Sequence, residues 1–221
     1  MFFVKKKEGS LHLVQDYWKL NKITIKNSYL LPLVSDVLTR LRDVEWFTTL
    51  DLHWGFNNVH LKEGDKWKAA FSTNRGLFEL LVMFFGLCNS PATFQTMMNN
   101  ILCPFIDCNE AICYMDDILI YSSSLTDHQR ITWEILQTLC SYKLFLQLEK
   151  CKFECQEVDY LGLVISKDHV VMDPVKVQGV TDWPQPAKVK DVQSFIGFMN
   201  FYQRFIHDFS EIAHPLCSPR I

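Results

Sequence analysis

Short apolar runs broken by turn residues fill most of the 221-residue chain, and a helical rhythm takes over near its end. Phe2 to Val4 and Leu11 to Val14 read as strands around the turn signal Glu8-Gly9-Ser10. Pro32 opens a predicted helix to about Arg42, with Leu33, Val34, Val37, Leu38 and Leu41 on one face. Trp46 to Leu52 reads as a strand. Ser90-Pro91 is a helix start: serine caps, and proline sits where its missing N–H costs nothing. That helix is expected to reach about Leu102 and stop before Pro104. The apolar runs Ala111 to Met115 and Ile118 to Tyr121 read as a hairpin turning at Asp116-Asp117. Asp127 to Leu146 predicts a second long amphipathic helix, and Tyr160 to Ser166 a strand closing the sheet. After Asp173-Pro174 come a short helix and the stiff linker Trp183-Pro184-Gln185-Pro186. A longer helix follows, carrying Val192, Phe195, Ile196, Met199, Tyr202 and Ile206 at helical spacing. The organisation expected is an α/β body to about residue 170 and a small helical appendage.

Composition adds little to this picture. Hydrophobic residues make up 48% and charged residues 21%, as in ordinary folded proteins. No apolar run approaches the ~20 residues that cross a bilayer, and no secretory leader or membrane partner is expected. The eight cysteines lack regular pairing and CxxC halves, which argues for reduced thiols in an intracellular protein (cytoplasmic, nuclear or both, not secreted) and against zinc. Net charge is −3, but residues 1–26 hold six lysines against two acids, leaving −7 on the remainder. That basic arm suits phosphates. A solvated lysine-rich hairpin explains it equally well.

The candidate chemistry lies in the carboxylates. Asp116-Asp117 is a poor turn by itself, and as an isolated pair it reads as an acidic surface turn. Strain and repulsion of this kind persist where a cation relieves them. A third aspartate, Asp51, ends the strand Trp46-Phe47-Thr48-Thr49-Leu50. If that strand lies beside the hairpin, three carboxylates meet at one sheet end. Hard oxygens so grouped suit Mg²⁺, which keeps waters and takes substrate phosphates. Two such ions about 3.5–4 Å apart serve phosphoryl transfer.

Here the chain resembles a known family. Tyr114-Met115-Asp116-Asp117 matches the YxDD box of reverse transcriptases. "LVQDYWKLN" (13–21), "FTTLDLHWGFNNV" (47–59), "FFGLCNSPATFQTMMN" (84–99), "YLGLVIS" (160–166) and "VQSFIGFMNFYQRFI" (192–206) follow in the family's order. The chain resembles the polymerase region of a gypsy-type LTR retrotransposon Pol polyprotein. The resemblance implies an α+β right-hand polymerase: an antiparallel palm sheet flanked by helices, partial fingers and the start of a helical thumb. Residues 1–170 would be fingers and palm, truncated at the N-terminus, and 171–221 the start of the thumb or connection.

The activity implied is RNA-directed DNA synthesis on a primed RNA or DNA template, adding dNTPs to the primer 3′-hydroxyl. Asp51, Asp116 and Asp117 would hold two Mg²⁺ ions, with Mn²⁺ as an alternative. Lys7, His12, Phe56, Phe85 and Lys150 would line the nucleotide site, Phe56 as the steric gate against a 2′-hydroxyl. Lys150 matches a lysine proposed to protonate pyrophosphate. Gln95, Tyr114, Met115, Leu161 and Gly162 would lie against template or primer, the last two as the primer-grip turn.

Two positions depart from the family pattern. His12 stands where an arginine grips the triphosphate, and Trp18 replaces the arginine of "DYRKLN". Arginine offers phosphate a permanent planar fork, whereas histidine is mostly neutral at pH 7. Against the family pattern the chain also starts inside the fingers and stops before RNase H would begin. The alternative reading is a catalytically inactive retroelement remnant that retains nucleic-acid binding. A diguanylate-cyclase-like enzyme would need a GGDEF-type hairpin, which the sequence lacks.

Overall fold

The computed structural model describes every residue except 1, 6–8, 10, 31, 33–36, 38, 42, 168 and 218–221. The fold is α+β, as expected. It divides into two compact units, Met1–Gln156 and Glu157–Ile221. The sequence places a boundary near 170, where strands give way to helices. The compact units divide earlier, because the strands of residues 157–172 cluster with the helices that follow them.

The first unit is built on a four-stranded antiparallel sheet in the order β6-β7-β3-β8. Its strands are β3 (Trp46–Asp51), β6 (Ala111–Tyr114), β7 (Asp117–Ser122) and β8 (Lys152–Cys155). β7 is a central strand, and its run Ile118-Leu119-Ile120-Tyr121 is at most 2% exposed, so both of its faces are covered. That is why the run shows no polar alternation. Two helices pack on the sheet, α2 (Ser90–Asp107) and α3 (Leu125–Ser141). Phe94, Met98, Leu102 and Phe105 of α2 and Ile131, Ile135 and Leu139 of α3 join Leu50, Ile118 and Ile120 in one core. The hairpin β1 (Phe2–Lys5) and β2 (Leu11–Val14), helix α1 (Trp18–Ile23), and the hairpin β4 (Phe71–Thr73) and β5 (Gly76–Phe78) complete this unit. The helix predicted from Pro32 to Arg42 falls mostly outside the described residues; Val37, Thr39 and Arg40 are helical.

Helix ends correct two expectations. α2 begins after Asn89, which makes no side-chain cap, and it runs through Pro104 to Asp107. Proline forfeits one backbone bond there, but Leu102 and Phe105 on either side are buried and hold the last turn down. The stop is Asn109, at φ 60°, with Glu110 N–H donating to Phe105 O at 2.9 Å and Asn109 N–H to Ile106 O at 3.1 Å. α3 ends the same way at Lys143, φ 57°, with Leu144 N–H on Leu139 O at 3.0 Å. This left-handed exit releases the bonds of the last turn and ends the helix at Ser141, short of the predicted Leu146.

The second unit starts with a three-stranded antiparallel sheet, β9 (Glu157–Tyr160), β10 (Leu163–Ser166) and β11 (Val170–Met172). Tyr160 to Ser166 is therefore a hairpin in its own sheet, not one strand closing the larger sheet. Leu161 and Gly162 both have positive φ, 51° and 77°, the geometry a two-residue hairpin turn requires. Tyr202 lies against this turn, its hydroxyl oxygen 2.9 Å from where a Cβ on Gly162 would stand. The helices are α4 (Pro174–Thr181), capped by Asp173, then α5 (Val189–Phe201) and α6 (Phe209–Cys217). Trp183 of the linker packs its ring on Phe195 and Phe198 at 5.5 and 5.4 Å. α5 stops at Phe201, and residues 203–205 turn as a 3₁₀ segment, so the expected helix to Ile206 is broken.

Ile120 is fully buried at the centre of the sheet, so Ile120→Ala is expected to destabilise the chain by about 2–5 kcal/mol in urea unfolding. Trp133 on α3 is 62% exposed, and Trp133→Ala is expected to change stability by less than about 0.5 kcal/mol.

Candidate active site

β3 and β7 pair in a register that sets Asp51 directly opposite Asp117. β6 pairs β7 with Tyr114 opposite Asp117, so the two-residue connection is Met115-Asp116. The turn thus lies one residue earlier than the sequence suggested, and Asp117 is the first residue of β7. Met115 takes the left-handed conformation, φ 54°, that the first central position of such a hairpin demands. Three bonds compensate for its strain. Gln95 Oε1 accepts from Met115 N–H at 2.7 Å, and Gln95 Nε2 donates to Cys113 O at 2.8 Å. Leu52 N–H donates to Asp116 O at 3.0 Å, tying the end of β3 to the turn.

Asp116 and Asp117 are raised above the ordinary carboxyl ionisation range. Burial, then the charges of Asp117 and Asp51, push Asp116 up to about 6. Asp117 is raised by burial first and by Asp51 second. Lys150, on the 3₁₀ turn Leu148–Lys150, opposes both shifts and lies 3.5 Å from Asp51 Oδ2. Asp116 Oδ1 is buried without a hydrogen-bond partner. An orphaned carboxylate oxygen beside two further carboxylates is the donor set of a hard divalent cation. Among the described residues no group of three or more His, Cys, Asp and Glu side chains is placed to hold a metal ion by itself. The chain thus fits such an ion as a partial ligand set, to be completed by water and phosphate oxygens.

Close packing holds Asp116 in place. A Cβ on Gly55 would collide with Asp116 Oδ1, lie 2.8 Å from its Cγ and 3.1 Å from Phe94 Cζ. Sequence reasoning missed Gly55, although a glycine between Trp54 and Phe56, just after Asp51, was its signal. Phe56 is 8% exposed and packs on Phe85 at 5.0 Å and edge-on to Phe94 at 5.6 Å. The structure therefore brings together Asp51, Asp116, Asp117, Phe56, Phe85 and Lys150.

Gln95 departs from its expected place. It was expected beside the template strand, but it is fully buried, and its amide serves the hairpin backbone and Asn99 instead. Its spacing from Met98 and Leu102 puts it on the buried face of α2, a signal that the polarity of glutamine masks. Tyr114 is half-buried and Met115 packs against the core. Leu161 and Gly162 form the β9–β10 turn of the second unit. Lys7 and the side chain of His12 lie outside the described residues; the backbone of His12 pairs with Val4 in the first hairpin.

The site thus consists of acidic residues at one end of an antiparallel sheet, two from neighbouring strands and one from the tight turn between β6 and β7, with a buried aromatic alongside. The chain belongs to the reverse transcriptase (RNA-dependent DNA polymerase) family, whose profile matches residues 4–165. It is 40% identical over 206 residues to the retrovirus-related Pol polyprotein from transposon 297 of Drosophila melanogaster, covering 93% of this chain and 19% of that protein. Identity is 37% over 216 residues to the transposon Tf2-3 polyprotein of Schizosaccharomyces pombe, covering 98% of this chain and 16% of that protein. The chain thus spans about a fifth of these relatives' length. Among solved structures it resembles the foamy viral protease-reverse transcriptase dRH in complex with double-stranded DNA. The TM-score is 0.88 at 25% identity, over 97% of this chain and 37% of that one. The same viral enzyme in complex with an RNA/DNA hybrid gives a TM-score of 0.83 at 25% identity, over 97% and 28% of the two chains.

The raised carboxyl of Asp116 makes a stability prediction with a definite sign. The folded state holds this proton more tightly than the unfolded chain, so its contribution is present below pH ~4 and is lost as pH rises through about 6. Asp116→Asn is therefore expected to raise the melting temperature at pH 7 by about 2–4 °C, on the order of 1 kcal/mol after allowance for partial exposure. The gain is expected to vanish near pH 4. Equal gains at both pH values would contradict the assignment.

Proposed function

We propose that this chain carries out RNA-directed DNA synthesis, adding dNTPs to a primer 3′-hydroxyl in a Mg²⁺-dependent reaction. The observation that carries the reading is the register that opposes Asp51 to Asp117 and sets Asp116 in the adjoining turn. Mg²⁺, when bound, neutralises the phosphates and lowers the pKa of the attacking hydroxyl. Asp51, Asp116 and Asp117 are its ligands in this reading, and Asp116 Oδ1 has no hydrogen-bond partner within the protein. Phe56, braced by Phe85 and Phe94, faces the sugar and excludes a 2′-hydroxyl. Its support is ring contacts with the buried Phe94 and the partly exposed Phe85, which leave the ring little room to retreat. Lys7, His12 and Lys150 serve the triphosphate, and Tyr114, Met115, Leu161 and Gly162 the primed template. Residues to about 170 act as fingers and palm, and the helices after them begin the thumb. The nucleic acids named for the foamy viral complexes support a primed template as the partner.

Primer extension on an RNA template with Mg²⁺ and dNTPs tests the reading. The parent chain is expected to extend, and Asp116→Asn is expected to lose activity to background. Phe56→Ala is expected to raise ribonucleotide use relative to deoxynucleotide use on the order of tenfold, the scale of a lost steric contact. No extension by the parent, or an unchanged sugar preference in Phe56→Ala, would contradict the corresponding assignment.

A further inference from the structure

Lys150 makes a contact that the triphosphate role does not explain. Its Nζ lies 3.5 Å from Asp51 Oδ2, across 99 residues of sequence. The reach is built into the backbone. Gln147 N–H donates to Asp51 O at 2.9 Å, Lys150 N–H donates to Gln147 O at 3.0 Å, and His53 N–H donates to Phe145 O at 2.8 Å. Leu52 and Leu146 bridge the same two segments. The turn that carries Lys150 is thus stapled to the end of β3, beside the carboxylates. Its charge is felt by all three: it pairs with Asp51 and draws Asp116 and Asp117 down against burial.

We infer that Lys150 is the resident counter-ion of the carboxylate cluster, and that a divalent cation binds only by displacing its ammonium from Asp51. This rests on the metal-dependent reading above and deepens it. Two features of the site fit it: three aspartates gather at one sheet end, and among the described residues no group of three or more His, Cys, Asp and Glu is placed to hold a metal ion as the site stands. An ammonium on a flexible four-carbon stem can leave without moving the backbone. Lys150 is half-exposed, so it has water to move into. Once displaced, the same charge is free for a phosphate group. Cation binding and recognition of the triphosphate are then ordered steps linked through one side chain.

The test is Mn²⁺ binding to the full chain, read as loss of the free-ion signal in electron paramagnetic resonance, without nucleotide or primer. Lys150→Gln is expected to tighten Mn²⁺ binding about two- to fivefold, the scale of a half-exposed ion pair. Lys150→Arg, which offers Asp51 a forked partner, is expected not to tighten it. Lys143→Gln removes the same charge from an exposed position and is expected to leave affinity unchanged. If Asp51→Asn weakens binding but Lys150→Gln does not tighten it, the cation site stands and the displacement is overturned. Equal tightening by Lys143→Gln also overturns it, as a general charge effect. If Asp51→Asn and Asp116→Asn both bind Mn²⁺ as the parent does, the metal-dependent reading fails and the displacement with it.

Discussion

The pairing of β3 with β7 is the constraint on which the rest of the molecule depends. Six consecutive residue pairs, from Trp46–Ser122 to Asp51–Asp117, fix which side chains share a face. A slip of one residue would turn every side chain of β7 over and carry Asp117 away from Asp51. Close packing of Ile118 to Tyr121, each buried, on both faces of the sheet resists that slip. The hydrophobic core thus does more than stabilise the sheet: it sets the positions of charges at the sheet's end.

Those charges work against the fold. Burial and the charges of Asp117 and Asp51 disfavour ionisation of Asp116, burial and Asp51 disfavour that of Asp117, and Met115 holds a left-handed backbone beside them. The neighbourhood offsets this with specific contacts. Gln95 satisfies both faces of the hairpin backbone, Gly55 leaves room for the Asp116 carboxylate, and Lys150 returns one positive charge. In the proposed function this site takes a divalent ion and the phosphates that accompany it.

Much of this could be read in the sequence wherever one local signal decides the outcome. The apolar runs around Asp116 gave a hairpin, and the strand ending in Asp51 gave its neighbour, because burial on both faces leaves unbroken apolar runs. Ordered motifs pointed to the family. The failures fall where contacts between distant residues decide. The hairpin turned one residue early because Gln95, 20 positions away, holds the Met115 amide. α2 ran through Pro104 because buried neighbours outweigh one lost backbone bond. α3 ended at a left-handed lysine, a residue type that carries no stop signal of its own. Tyr160 to Ser166 looked like one strand because Leu161 at positive φ hides a turn inside an apolar run.

The acidic turn is held in place from behind by the buried amide of Gln95 and does not depend on ligands for its shape. Hydrogen exchange at the Met115 amide tests this most directly. In the ligand-free parent chain this N–H is expected to be protected as strongly as the amides of Ile118 to Ile120. In Gln95→Leu, which keeps the volume and removes the acceptor, its protection is expected to fall about ten- to a hundredfold, as a lost buried hydrogen bond requires. The amides of Ile118 to Ile120 should stay protected. Met115 exchange that is fast in the ligand-free parent, or unchanged in Gln95→Leu, would contradict the account.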